Sequence, residues 1–187
     1  MRFLPTELAE VRIVELDVHR DGRGFFAETH RAEAFAEAGI AATFVQDNHS
    51  GSVAGVLRGL HAQDRRPQGK LVRVLRGAIF DVAVDIRRGS PAFARWVGVR
   101  LVAEEFRALW IPEGFAHGFC VLSDFAEIEY KCTAEYDAGG QIGIRWDDPA
   151  IGVRWPVERP ILSPRDAEAP LLAEIETRLP RWNGVGA

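Results

Sequence analysis

The chain has 187 residues, 23 of them basic and 27 acidic, for a net charge of −4. No run of Lys or Arg is long enough to read as a nucleic-acid footprint, and no uncharged apolar run approaches the length of a membrane span. Charge and Pro5 interrupt the amino terminus before a secretory apolar stretch can form, and Cys120 and Cys132 lack framework spacing, so one cytoplasmic domain over 1–187 with buried, reduced thiols is expected.

Short β-like runs punctuated by Gly, Pro or Asp predict strands over 11–18, 43–49, 54–61, 70–76, 78–86, 94–102, 106–111, 115–122, 125–133 and 142–146. A helix is predicted over 31–38, with Thr29 or His30 near its start and Gly39 as its stop. A second begins at Pro170 and ends before Pro180, and Asn183 to Ala187 reads as a loose tail. Many short strands without repeats or linkers predict an all-β sandwich or barrel with a few short peripheral helices. Glu104-Glu105 and Asp147-Asp148 read as solvated turns.

Strand parity sorts the side chains. Within 78–86, Phe80, Val82, Val84 and Ile86 share one face, and Asp81 and Asp85 share the other. Tyr130 lies with Ile128 and Cys132, and His117 with Phe115, Phe119 and Val121, so both are expected to point into an apolar interior. Lys70 falls on a face with Val72 and Val74, where an ammonium needs a partner or a ligand, and His61 falls with Leu57.

Two segments, Gly55-Val-Leu-Arg-Gly-Leu-His61-Ala-Gln63 and Pro112-Glu-Gly114-Phe-Ala-His117, resemble the paired motifs of a cupin-type jelly-roll β-barrel. Metal-binding cupins carry His-x-His in the first motif; here Gln63 stands at the second His position. With His61 and His117 as the remaining ligands, fewer than the usual three or four donors, neither metal nor cofactor is expected. His61 is thereby available for acid–base work. A His, a Lys and a Tyr inside one barrel suit proton abstraction beside a carbonyl: His as base, Lys for the enolate oxygen, Tyr as acid from the opposite face. A base His needs an acceptor on its other ring nitrogen, and Asp166 is the candidate.

At these residues the chain resembles the RmlC family, the dTDP-4-dehydrorhamnose 3,5-epimerases, over roughly 10–172. The matching stretches are Arg23-Gly-Phe-Phe-Ala-Glu28, Val45-Gln-Asp-Asn-His-Ser50, Gly55 to His61, Gln68-Gly-Lys-Leu-Val-Arg73, Trp110 to Phe119 and Glu129-Tyr-Lys-Cys-Thr133. Asp147-Asp-Pro149 and Leu162-Ser-Pro-Arg-Asp166 also match, and the shared order and spacing make the likeness specific. The resemblance implies a metal-independent homodimer that epimerises a dTDP-linked 4-keto-6-deoxyhexose. It casts His61 as the base, Asp166 as its dyad partner, Lys70 at the enolate and Tyr130 as proton donor. It further implies substrate contacts from Arg23, Glu28, Gln46, Asp47, Asn48, Arg58, Lys70, His117, Gln141 and Arg165.

Plainer readings exist for several of these. His117 and Tyr130 suit a core, Asp166 a local turn after Pro164, Arg23 an Asp-Gly-Arg-Gly turn, Glu28 a solvated surface, and Gln46 to Asn48 a strand end. Strict alternation puts Arg58 opposite His61, so either a bulge at Gly59 re-aims it or it serves a partner subunit. Four positions depart from the family pattern. Ala62 stands where an aromatic pocket wall is usual, Glu135 where a tyrosine is, Gln141 where Glu is frequent and Arg165 where Lys is. These departures keep open a mono-epimerase or 3,4-ketoisomerase; a non-catalytic sugar-nucleotide-binding cupin and a metal-dependent cupin dioxygenase are the rivals from other classes.

Overall fold

Short alternating strands bury their apolar faces by pairing edge to edge and then stacking sheet on sheet. The structure, a computed structural model, describes residues 1–184. Its strands are β1 (Arg2–Pro5), β2 (Arg12–Glu15), β3 (Val18–Asp21), β4 (Gly24–Ala27), β5 (Gln46–Val53), β6 (Leu57–Gln63) and β7 (Lys70–Arg76). They continue with β8 (Ala78–Asp85), β9 (Trp96–Val102), β10 (Arg107–Ile111), β11 (Phe115–Val121), β12 (Phe125–Cys132) and β13 (Gln141–Gly143). One antiparallel sheet runs β1-β2-β10-β7-β12-β5 and a second runs β13-β6-β11-β8-β9, while β3 and β4 form a separate hairpin. The expected all-β, cupin-type jelly roll is what forms. Between the sheets, Val72, Val74, Ile111 and Ile128 of the first meet Ile79, Ala83, Leu101, Phe115 and Phe119 of the second.

The outer faces are covered too. Helix α1 (Ala32–Glu37) sets the fully buried Phe35 with Val14, Leu71 and Trp110 on the back of the first sheet. Gly39, at φ +80°, stops the helix as expected, and Thr29 and His30 lie just before its start, where Arg31 is the N-cap and makes no side-chain bond. The second sheet is backed by the C-terminal segment, whose Ile142, Ile144, Ile151, Leu172, Ile175 and Leu179 pack on Val82, Val84 and Ile86. Fully burying a Leu or Ile stabilises by roughly 1.5–3 kcal/mol, which holds this segment down. The helix expected between Pro170 and Pro180 is present as a 3-10 helix over Leu172–Arg178. The predicted tail lies mostly outside the described residues, which end at Gly184.

The two faces of 78–86 are as parity sorts them: the apolar face is the outer one, under the C-terminal segment, and the inner face carries Asp81 and Asp85, both 0% exposed. Asp85 is satisfied there by Arg87 and Ser90, and Arg87 also grips Glu10 at 2.7 Å. Asp148 is no solvated turn: it is buried and accepts the backbone N–H groups of Ala150, Ile151 and Leu172, whereas Asp147 stays outside on Arg145. Strand β5 starts three residues later than predicted and extends to Val53, because its inner face is polar (Gln46, Asn48, Ser50, Ser52) and carries little hydrophobic signal. The short β1, the β3–β4 hairpin and α2 (Pro164–Ala167) escaped the pattern altogether. Cys120 and Cys132 are buried and unpaired, as expected.

Candidate active site

A local irregularity places His61. Strand β6 pairs His61 with His117 but Arg58 with Phe119, so three steps on β6 match two on β11. The extra residue sits at Gly59, whose φ of +136° favours glycine and whose missing Cβ lets the backbone come against Gly118. Arg58 is thereby brought to the same side as His61, which answers the difficulty that strict alternation raised. The same bulge takes Leu57 to the other face, opposite Cys120, so the expectation that His61 shares a face with Leu57 fails.

Nε2 of His61 lies 2.6 Å from Oδ1 of Asp166. Asp166 arrives on α2, where the Ser163 hydroxyl caps its backbone N–H at 3.1 Å and Pro164 opens the helix. The residue thus fills a local turn and a long-range role together. Burial opposes charge on this carboxylate, but bonds from His61, Ser163 and the Gly59 N–H outweigh it and hold its pKa below the ordinary value. An ionised Asp166 can only accept, so Nε2 of His61 carries the proton and Nδ1 is left with its lone pair. The His61 side chain is 29% exposed, against 6% for Asp166, so the imidazole is open to solvent while its partner is not.

Across the barrel, parity holds for Tyr130, His117 and Lys70. Tyr130 packs against the inner cluster, its ring 6.5 Å from that of His117. Burial, assisted by Cys132 and opposed by Arg58, raises the phenol pKa and keeps its proton in place near neutrality. Lys70 is 8% exposed, in register with Cys132 on β12 and Ile111 on β10. Burial lowers its pKa, while Cys132 and Asp81 resist that change. His117 is bonded through Nε2 to Oδ1 of Asp81 at 2.7 Å. Burial dominates there and lowers the imidazole pKa, so His117 is neutral near pH 7. Asp81 was not singled out by sequence as a site residue; its signal was a carboxylate on the inward face of an apolar strand.

The expected contacts divide. Gln46 and Asn48 face inward on β5, Gln46 donating to Asn48 at 3.0 Å and accepting from the Tyr136 N–H, and Asn48 donating to the Cys132 sulfur. Asp47 turns to the outer face and pairs with Lys131 at 2.9 Å, so its side chain does not line the cavity. Arg58 reaches Ser52 at 3.1 Å and the Gly51 carbonyl. Arg23 sits in the β3–β4 turn, 91% exposed and bonded to Asp21, and Glu28 pairs with Arg31 at the surface; neither is inside this barrel. Gln141 accepts from the Tyr136 hydroxyl at 2.7 Å, and Arg165 is exposed beside Asp166. Ala62 packs on the outer cluster, so it opens no gap in the cavity wall. Glu135 pairs with Arg66 at the surface. Gln63 holds the 135–137 loop, donating to the Arg66 and Glu135 carbonyls and accepting from the Asp137 N–H.

His61 stands on the second sheet and Tyr130 on the first, so an imidazole and a phenol face the space between the sheets from opposite walls, with an ammonium between strands of the first. Fold and site together define a cupin-type isomerase that moves protons at carbon. Residues 5–174 match the family model for dTDP-4-dehydrorhamnose 3,5-epimerase, and the chain belongs to that family. The dTDP-4-dehydrorhamnose 3,5-epimerase of Shigella flexneri is 55% identical over 168 residues, 89% of this chain and 93% of that protein. The one from Neisseria gonorrhoeae is 52% identical over 177 residues, 94% of this chain; the chain spans about half (54%) of that relative's length. A crystal structure of RmlC from Legionella pneumophila in complex with dTDP-4-keto-L-rhamnose aligns with a TM-score of 0.95 at 49% identity, covering 98% of this chain and 99% of that one.

Proposed function

We propose that the chain inverts C3 and C5 of dTDP-4-dehydro-6-deoxy-D-glucose, giving dTDP-4-dehydro-L-rhamnose. The observation that carries this reading is the placement of His61 and Tyr130 on facing sheets, because inversion requires removal of a proton from one face and its return to the other. Nδ1 of His61 takes the proton from the carbon beside the C4 ketone, and Asp166 stabilises the imidazolium through Nε2. The electron pair moves onto the ketone oxygen as an enolate, which the Lys70 ammonium stabilises in its dry setting. The enolate collapses, carbon takes the phenol proton of Tyr130, and the phenolate forms near Arg58. Proton exchange with solvent resets both groups, and the same pair serves the second carbon, since both flank the ketone. Gln46, Asn48, Arg58 and His117 face the cavity and supply substrate contacts; Gln141 and Arg165 lie at its margin.

The exposed β3–β4 hairpin supports a homodimer as the working form. Phe25 and Phe26 are 62% and 68% exposed, and Arg23 and Glu28 flank them. A partner subunit that covers these rings gives both charged residues a place in a site they do not reach within one chain. The free thiols Cys120 and Cys132 fit a reducing cytoplasm, and among the described residues no helix is long and apolar enough to cross a membrane. The whole chain acts as one domain in this reading.

Proton NMR of dTDP-4-keto-6-deoxy-D-glucose incubated with the protein in deuterium oxide tests the chemistry. Loss of both the C3 and C5 proton signals, absent with His61→Ala, is the expected result. Exchange at one carbon would reassign the protein to the mono-epimerases, and exchange at neither would remove the epimerase reading for this substrate.

A further inference from the structure

We propose that Asp81 is a positioning residue of this site: one carboxylate oxygen fixes the His117 ring and the other is held for the Lys70 ammonium. The proposal rests on the epimerase reading, in which Lys70 carries the enolate. Asp81 is 0% exposed on the inner face of β8, between Ile79 and Ala83, neither of which offers a side-chain donor. Its Oδ1 stands 2.7 Å from Nε2 of His117. Its Oδ2 is buried and has no hydrogen-bond partner among the described residues. Leaving a buried polar atom unsatisfied costs about 1–3 kcal/mol, and more for a charged group, so such an atom calls for a task.

Lys70 defines that task. It has no carboxylate within 4.0 Å among the described residues, yet Asp81 acts on its charge. The groups that face Lys70 are Cys132 from β12, Asp81 from β8 and His117 from β11, with the apolar Ile111 from β10. Cys132 is buried with a raised pKa and stays a neutral thiol, and His117 is neutral, so Asp81 supplies the anion. Around His117 stand Asp81, Lys70, His61 and Tyr130. Because a carboxylate oxygen accepts, the 2.7 Å contact with Asp81 sets His117 as the Nε2–H tautomer and leaves Nδ1 as an acceptor for a substrate hydroxyl. A single carboxylate thereby governs a neutral acceptor and a buried cation, two groups that must hold opposite protonation states side by side.

Two measurements test this. Long-range proton–nitrogen NMR of the unmodified protein, with the His117 signals assigned by their loss in His117→Gln, should show a neutral Nε2–H ring near neutral pH. An Nδ1–H tautomer or an imidazolium overturns the proposal, and this spectrum does not depend on which sugar is turned over. In Asp81→Asn, kcat should fall about 10- to 100-fold, the scale for losing a group that orients a working residue. The basic limb of its pH profile should move to lower pH, because Lys70 sheds its proton more readily without the anion, while the Kd for dTDP stays unchanged. An unchanged kcat with an unmoved basic limb overturns the role at Lys70. If the Asn variant does not fold, the ring tautomer in the unmodified protein decides. Failure of the epimerase reading itself is distinct: the unmodified protein would then exchange no substrate protons at all.

Discussion

Asp166 shows how one side chain ties the candidate site to stability. Its carboxyl is held below the ordinary value of 3.8 by His61, Ser163 and Gly59 against the opposing effect of burial. A depressed carboxylate stabilises the fold fully above the unfolded-state pKa, and that contribution drains away as pH falls through the lower folded-state value. Thermal melting of the protein and of Asp166→Asn across acid pH should therefore show an advantage for Asp166 that is steady above 3.8 and shrinks below it. A gap that persists unchanged into strong acid would sink this account. The same variant should lose about 10²–10⁴-fold in kcat, because its amide no longer holds the imidazole tautomer. Tyr130→Phe makes a different prediction. Proton exchange on the His61 side should continue while inverted product falls at least about 10²-fold, a split that NMR in deuterium oxide reads directly. At this scale the sequence was informative where chemistry is unusual: a Lys and a Tyr on apolar faces announced themselves. Asp81 and Asp148 did not, because a lone carboxylate in a sequence looks the same whether it meets water or a buried donor.

Strand β6 and its neighbours carry the irregularity on which the site depends. A Cβ at Gly59 would lie 2.5 Å from the Gly118 Cα, and φ there is +136°. Backbone forced into such a region costs of order 1–3 kcal/mol before any clash is counted. Gly59→Ala should lower the urea midpoint and cut activity, since it displaces both Arg58 and His61. Gly55→Ala is the contrast: φ is +75°, but nothing lies within 4 Å, so stability should drop modestly and turnover should survive. Equal loss in the two variants would argue against the close approach as the cause. Apolar-rich elements, β7 above all, were legible to the residue, because apolar side chains on both faces of β7 meet a core. The register of β6 was not, since a bulge moves every later side chain to the other face without altering composition. Polar β5 was misplaced for the opposite reason: its inward residues are Gln46, Asn48, Ser50 and Ser52 and give no apolar period.

The molecule as a whole buries both backs of its sandwich yet leaves Phe25 and Phe26 in water on a hairpin that stands apart from the two sheets. Sedimentation of the unmodified chain should report a dimer, and the double variant Phe25→Ser, Phe26→Ser should shift it toward monomer with a parallel loss of activity. A dimer unaffected by the double change would place the interface elsewhere. The opposite end of the chain carries a consequence of another kind. His61 and Asp166 are separated by 105 positions, and Asp166 lies beyond β13, the last strand described. A ribosome that has just added the last residue of β13 has therefore not yet made the carboxylate that orients His61 in the proposed mechanism. In that mechanism a nascent chain gains its full turnover only after the stretch bearing Asp166 has been made and has closed on His61.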